Sequence, residues 1–317
     1  MMFEETIASS DRVLVTGGTG TLGTALIPAL LERGSRVRVL SRDETKQNVL
    51  AWQYPMVEWM LGDVRDPKAC ADAVRDMDVV LHAASLKYVD VSERQPSEYI
   101  ITNTVGTLNL INAILANGGV RRVIGVSTDK AAAALSTYGL TKALLEKLFI
   151  EAHAYRRGSI PTIFTVCRYG NVIGSRGSVV LKWQELTQKG ERIQVTDPAM
   201  TRFFFTIDDA LRLIDYALWT RRGGIVVAQA MPSTTLGELA AVWGEYDVIG
   251  MRPGEKPHED LLTEHEMPRV TMDSGLFIYA PLAPPTPLAE RPFTSYTSAS
   301  ARRLTRDELE TLTKPWR

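Results

Sequence analysis

The chain has 317 residues, 45% of them hydrophobic, which suffices for one large domain or two coupled ones. With 36 basic and 37 acidic residues the formal charge is -1, so no global field favours nucleic acid or an anionic membrane. Two cysteines, Cys70 and Cys167, exclude a disulfide framework and point to a reducing, cytoplasmic setting, and His82, His153, His258 and His265 show no metal spacing.

The first twelve residues carry acids where a signal peptide has a basic flank, so none is expected. No uninterrupted apolar run approaches the roughly 18 residues of a membrane span. Residues 12–16 form a short β-rich run ending in glycines. Residues 22–32 follow as a helix, which Pro28 is expected to kink. Strands are expected at 36–40, 57–61 and 78–82. Asp66 and Pro67 read as an N-cap and first helical residue of a helix reaching about Arg75. A long helix is expected over 96–117, stopped by Gly118 and Gly119, then a strand at 122–127, a helix at 138–157 and a strand at 161–168. Such alternation implies an α/β fold, a doubly wound parallel sheet covered on both faces.

After Arg168 the pattern loosens into glycine-rich and polar runs around short helices at 208–220 and 236–243. The organisation expected is a dinucleotide-binding Rossmann core over 1–168, with some later segments packing back onto it. Residues 169–317 would then form a smaller substrate-binding lobe and tail. Residues 280–292 are proline-rich and expected to be extended, and Thr305 with Glu308 has capping-box spacing for a last helix.

The run TGGTGTLG (16–23) follows a strand and opens a helix, the context a dinucleotide pyrophosphate requires. Gly17, Gly20 and Gly23 let the backbone turn and approach the phosphates, and the helix N-terminus favours negative charge. The bland alternative is a glycine-rich turn, which the following alternation disfavours. At the end of the second strand an acid usually marks NAD. Here Ser41 and Arg42 stand there, with Asp43 beyond: Arg42 suits a 2′-phosphate, or it stacks on adenine while Asp43 reaches the ribose. The cofactor reading is therefore NAD or NADP. Asp63 and Val64, after the third strand, are placed for the adenine.

Tyr138 and Lys142 stand at i and i+4 on one helix face. A nearby ammonium favours the phenolate, so Tyr138 is a candidate base near neutrality, with Lys142 also on the nicotinamide ribose. Upstream, Ser127-Thr128-Asp129-Lys130 ends a strand and adds an acid and a base, Asp129 and Lys130, where ligands bind such sheets. On spacing alone both pairs are ordinary surface residues; behind the glycine loop they read as catalytic.

At these residues the chain resembles the extended short-chain dehydrogenase/reductases, and among them the inverting UDP-N-acetylglucosamine 4,6-dehydratases. The matching runs, in order, are TGGTGTLG (16–23), SRDETKQ (41–47), GDVRD (62–66), LHAASLKYVDVSE (81–93), TNTVGT (102–107), STDKA (127–131), YGLTK (138–142), CRYGNVIGSRGSVV (167–180), MTRF (200–203) and RPGEKPHE (252–259). The resemblance implies that Thr19, Thr21, Leu22, Ala83, Ala84, Lys87, Asn103, Ser127 and Arg168 join the glycines on a tightly bound, recycled cofactor. It places Lys87, Asn171, Val179 and Thr196 on a nucleotide sugar, Arg202 and Arg252 on its diphosphate and Glu255 on a uridine ribose. Tyr138 would take the C4 hydroxyl proton as hydride leaves C4. Lys130 would then remove the C5 proton, and Asp129 would protonate the departing C6 hydroxyl. A homo-oligomer is implied as well.

The resemblance breaks between STDK and Tyr138, where the family has a proline and an asparagine and this chain has the run AAAALST (131–137). A differently shaped linker would move the intermediate against the nicotinamide, and about 1 Å is enough to redirect a step. Hydride returned to C4 gives a UDP-sugar 5,6-ene, the exo-glycal of tunicamycin-type antibiotic biosynthesis, which this divergent chain resembles overall. Hydride returned to C6 gives the 4-keto-6-deoxy sugar. A UDP-sugar 4-epimerase and a dinucleotide-sensing regulator are two further readings; the first needs no acid/base pair for elimination, the second no Tyr/Lys pair.

Overall fold

In the computed structural model, residues 11–155, 161–287 and 293–317 are described. The expected N-terminal segment, the end of the helix at 138–157 and the last residues of the proline-rich stretch lie wholly or partly outside them. Nine strands form the main sheet, in the order Val270–Asp273, Leu276–Tyr279, Ile225–Gln229, Ile163–Tyr169, Arg122–Thr128, Val79–His82, Arg12–Thr16, Arg36–Ser41, Glu58–Leu61. Leu276–Tyr279 and Val270–Asp273 are antiparallel additions at one edge, and the remaining pairings are parallel. The winding reverses between Arg12–Thr16 and Val79–His82, so the crevice at their C-terminal ends is the ligand position of a doubly wound sheet.

Each face of the sheet carries its own core. Leu26, Ile27 and Leu30 of helix Thr21–Leu31 pack with Leu213, Ile214 and Ala217 of helix Ile207–Trp219 on one side. On the other, Cys70, Ala73, Leu110, Ile114, Leu145 and Phe149 join helices Pro67–Val74, Pro96–Asn117 and Thr137–Ala154. A third cluster around Trp183, Val195, Phe204, Leu239 and Leu309 belongs to the later residues, in small sheets of two and three strands. Strand Ile225–Gln229 and the antiparallel pair bring that later part of the chain back into the main sheet.

Several expectations are refined. Asp66 caps its helix through Lys68 N–H (2.8 Å), and Thr305 forms a full capping box with Glu308. Pro28 sits inside helix Thr21–Leu31, which runs unbroken across it. Helices Glu44–Gln53 and Val89–Arg94 were not anticipated: the first has little apolar periodicity, and the second is six residues long with no side-chain cap. Helix Pro96–Asn117 contains a π-turn at Ile100–Val105 and, contrary to the run-length reading, is long and apolar enough to cross a membrane. Isolated polar residues interrupt its apolar runs without changing its average. In this fold it packs against Pro67–Val74 and Thr137–Ala154.

Candidate active site

One large cavity, of about 630 Å³, opens over the C-terminal ends of the central strands. Its floor is the glycine loop. Gly17 has φ +71°, and a Cβ there would lie 2.7 Å from the Ala84 amide nitrogen. A Cβ on Gly23 would lie 2.3 Å from the Gly18 Cα, so loop and helix close to a distance only glycine permits. Helix Thr21–Leu31 begins at Gly20 with no side-chain cap and no acid in its first turn, leaving its N-terminal N–H groups turned to the cavity. A dinucleotide pyrophosphate fits this cradle. The loop at 173–178 lies across it: Arg176 N–H donates to Thr21 Oγ1 (3.0 Å). Gly174 and Gly177 in that loop admit no Cβ because Trp316 and Tyr88 press on them.

Most of the anticipated residues line this one cavity: Gly17, Gly20, Thr21, Leu22, Gly23, Ala83, Lys87, Ser127, Thr128, Lys130, Tyr138, Lys142, Asn171, Val179, Thr196, Arg202, Arg252 and Glu255. Asp129 lies directly behind Lys130, wholly buried. Others lie outside its lining. Thr19 and Ser41 share a hydroxyl hydrogen bond (2.9 Å). Val64 is buried against Gly106, and Ala84 backs Gly17. Arg42 reaches Asp63 at 3.7 Å, and Asp43 caps Glu44–Gln53 through Lys46 N–H (3.0 Å).

Two expected cofactor contacts fall to the protein itself. Asn103 is brought inward by the π-turn, where its Oδ1 accepts from Leu86 N–H (2.8 Å) and its Nδ2 donates to Leu86 O (3.0 Å) and Thr141 Oγ1 (3.1 Å). It braces the 85–87 segment against helix Thr137–Ala154. Arg168 is wholly buried between Glu146 (2.6 Å) and Glu266 (2.7 Å), and Glu146 also accepts from Ser127 Oγ (2.6 Å). With both carboxylates engaged, its guanidinium ties strand to helix and C-terminal segment, where a cofactor contact was expected. His82 is likewise a brace, between Thr16 (2.8 Å) and Thr107 (2.9 Å), and burial pushes it down to about 3, so it is neutral.

Electrostatics separate the two candidate pairs. Burial pushes the Tyr138 phenol up to about 12, partly offset by Lys130. Burial pushes Lys142 down to about 8, partly offset by Glu146. The expected lowering of Tyr138 by Lys142 is therefore corrected: desolvation outweighs it, and the cation that counters it is Lys130. Around Lys130, burial also opposes the charge, yet Asp129 and Glu259 outweigh it and raise the ammonium above its ordinary value. Its Nζ donates to Asp129 Oδ1 (3.0 Å) and Asn171 Oδ1 (3.4 Å) and lies 3.3 Å from Glu259 Oε1. Burial raises Asp129, with the nearby Glu259 anion adding to it.

The residues missed by sequence reasoning include Tyr88, Arg176 and Glu259. Glu259 stood inside the RPGEKPHE run, but nothing local marked it out from Glu255. Glu255 instead accepts from the Arg252 amide (3.0 Å), which fixes the turn carrying both. Among the described residues no group of His, Cys, Asp and Glu has metal-binding geometry.

Comparison with known proteins now gives the site its setting. Residues 13–280 match the polysaccharide biosynthesis protein family. The chain is 38% identical to the inverting UDP-N-acetylglucosamine 4,6-dehydratase of Campylobacter jejuni subsp. jejuni serotype O:2, over 81% of this chain and 79% of that one. It is 36% identical to a UDP-glucose 4-epimerase of Rickettsia rickettsii, over 95% and 94%. The X-ray structure of Pen from Bacillus thuringiensis superposes with a TM-score of 0.91 at 31% identity, covering 100% of this chain and 99% of that one. The Thermus thermophilus UDP-glucose 4-epimerase, solved with NAD, superposes at 0.67 with 26% identity, covering 77% and 88%. The chain belongs to the polysaccharide biosynthesis protein family, with the fold of the extended short-chain dehydrogenase/reductases.

Proposed function

We propose that this chain is a nicotinamide-dinucleotide-dependent dehydratase of UDP-N-acetylglucosamine that recycles its cofactor. The observation that carries this reading is that Lys130, backed by Asp129 at 3.0 Å, opens onto the same cavity as Tyr138 and Lys142. A 4-epimerase has no elimination for such a pair to perform. A sensor has no need of either pair.

A NAD or NADP held over Gly17, Gly20 and Gly23 would supply the hydride chemistry, as acceptor from C4 and later donor to the sugar. Tyr138 takes the C4 hydroxyl proton, helped by the cationic field of Lys130. The 4-ketone acidifies C5. Moving one proton along the Lys130–Asp129 hydrogen bond leaves a neutral amine and a protonated carboxyl. The amine takes the C5 proton as the C5=C6 bond forms, and the carboxyl protonates the C6 hydroxyl, which departs as water. Arg202 and Arg252 suit the diphosphate, whose oxygens a guanidinium holds bidentately.

For the product we favour hydride return to C4, giving the 5,6-ene. The altered linker supports it: Ala133 holds a left-handed backbone, φ +45°, between Lys130 and Tyr138. The likeness to the Campylobacter enzyme favours the second reading, hydride return to C6. Proton NMR of the enzyme with UDP-N-acetylglucosamine and no added cofactor separates them. Vinyl signals at C6 are expected; a C6 methyl doublet selects the 4-keto-6-deoxy sugar, a C4 epimer alone the epimerase, and an unchanged substrate with bound cofactor the sensor.

A second copy of the chain is proposed to cover an apolar face. Ile100, Ile101, Val105 and Leu108 on one helix and Leu140 and Leu144 on its neighbour are each 40% or more exposed. Patches of this kind on soluble chains mark interfaces. Light scattering should give at least a dimer, and Leu144→Glu should reduce it to monomer. The free buried thiols of Cys70 and Cys167 support a reducing compartment, the cytoplasm.

A further inference from the structure

We propose that Glu259 is a positioning residue that holds the Lys130 amine for C5 proton abstraction and strengthens it as a base. This deepens the dehydratase reading and rests on it. Glu259 is 2% exposed. Its backbone is pinned on both sides, N–H to Ser298 Oγ (2.8 Å) and carbonyl from Ser298 N–H (2.8 Å). Ser298 is itself buried and bonded to Thr201 (2.6 Å), so the carboxylate is delivered from a fixed frame.

The carboxylate meets the catalytic group directly. Its Oε1 lies 3.3 Å from Lys130 Nζ and 3.8 Å from Arg202 Nε, and its Oε2 lies 4.0 Å from Lys256 Nζ. No hydrogen bond reaches Oε2, although it is inaccessible. A buried, incompletely satisfied carboxylate is costly, and such groups persist where they serve function. A cavity of about 40 Å³ beside it, bordered by Lys130, Ser136, Arg202 and Lys256, has room for a water.

An ammonium has three N–H donors, and Lys130 faces three acceptors: Asp129, Glu259 and Asn171. When Asp129 takes the proton it needs as general acid, Glu259 and Asn171 still hold two N–H groups. The amine therefore stays in place, with one lone pair free to take a proton. Glu259 also remains the anion of the cluster: burial disfavours its charge, but Lys130, Arg202 and Lys256 outweigh that and keep its carboxyl below the usual range. A fixed anion raises the proton affinity of Lys130, which a carbon acid demands of its base. The charged and titratable groups facing Lys130 are Asp129, Tyr138, Arg202, Glu259 and Lys256, with Glu255 on the rim of the small cavity.

The test is Glu259→Gln, read by rapid mixing with UDP-N-acetylglucosamine. Absorbance of reduced nicotinamide follows C4 oxidation, and NMR follows loss of C5–H. Oxidation should proceed at near wild-type rate while C5–H loss slows about tenfold, so reduced nicotinamide accumulates. The rising limb of the pH–rate profile for C5–H loss should move about one unit lower, because without the Glu259 anion the Lys130–Asp129 pair sheds its second proton more easily and reaches its active one-proton form at lower pH. Glu259→Asp keeps the charge but shortens the reach; its limb should stay in place while the plateau falls. It also serves if the Gln variant does not fold. An unmoved limb in the Gln variant, equal slowing of both steps, or an undiminished plateau in the Asp variant would overturn the proposal. If the wild-type chain neither reduces its nicotinamide nor loses water from the sugar, the dehydratase reading itself fails first.

Discussion

Two lysines face one cavity, and desolvation has opposite outcomes for them. Lys142 is 3% exposed and pushed down to about 8. Lys130 is held as an ammonium by two carboxylates. The difference lies in which anions are free. The anion beside Lys142 is Glu146, already committed to Arg168 and Ser127. Asp129 and Glu259 instead direct their charge at Lys130. On the proposed mechanism, one lysine is tuned toward neutrality beside the oxidation step, while the other is a proton reservoir coupled to an acid for elimination.

Removing each group breaks the contrast most sharply. Lys130→Ala should abolish exchange of the C5 hydrogen with deuterated water and slow dehydration by about 10²–10⁴-fold, while still reducing bound nicotinamide. Tyr138→Phe should block that reduction by a similar factor. Retained C5 exchange in Lys130→Ala, read by NMR, removes Lys130 from the base role.

The next test moves an anion. Arg168→Met leaves Glu146 and Glu266 buried without their cation, a loss expected to cost about 3–5 kcal/mol by denaturant unfolding. It also frees Glu146 to stabilise the Lys142 ammonium, so Lys142 should titrate above about 8 and come to resemble Lys130. An unchanged Lys142 titration, followed by labelled-lysine NMR, would mean that dehydration alone sets its value.

Much of this was legible because it is local. The glycine loop, the Asp66 and Thr305 caps and the alternation of strands and helices along the first half of the chain follow from short-range chemistry that sequence displays directly. The YGLTK spacing correctly put Tyr138 and Lys142 on one helix, but the depth of burial that overrides their mutual effect belongs to the packed fold. Arg168, Asn103 and Glu259 were misread or missed for one shared reason. Their partners (Glu266, Leu86 and Lys130) lie far away in the chain, so their roles exist only once the fold assembles them.

Lys142 also offers a stability test. Its native pKa, about 8, lies below its ordinary 10.5. Below pH 8 both folded and unfolded chains hold the proton, and the cost of burying the charge is fully present. As pH rises from 8 to 10.5 the unfolded chain retains a proton that the folded chain has shed, so this residue makes stability rise, by about 3 kcal/mol in all. Lys142→Met should therefore unfold less readily than wild type at pH 7, with the advantage shrinking toward pH 10. A gap that does not depend on pH would assign the gain to packing.

The smallest expected effect concerns the linker between the two lysines. Ala133 adopts φ +45°, a region that costs a residue with a Cβ roughly 1–2 kcal/mol. Glycine relieves that cost but enlarges the freedom of the unfolded chain, so Ala133→Gly should change stability by less than about 1 kcal/mol. Its effect belongs in the product. The linker spans from Lys130 to Ser136, and Lys256 Nζ holds it at Ala132 O (2.9 Å). Gly139, at the start of the tyrosine's helix, presses so closely on Lys130 O that a Cβ there would lie 2.2 Å away. A looser residue 133 lets Asp129 and Lys130 shift against Tyr138, and with them the intermediate against the nicotinamide. The ratio of vinyl to methyl signals should then move toward the methyl product, with the overall rate changed little. An unchanged ratio would remove the linker as the determinant and leave the fate of the hydride to the residues that grip the sugar.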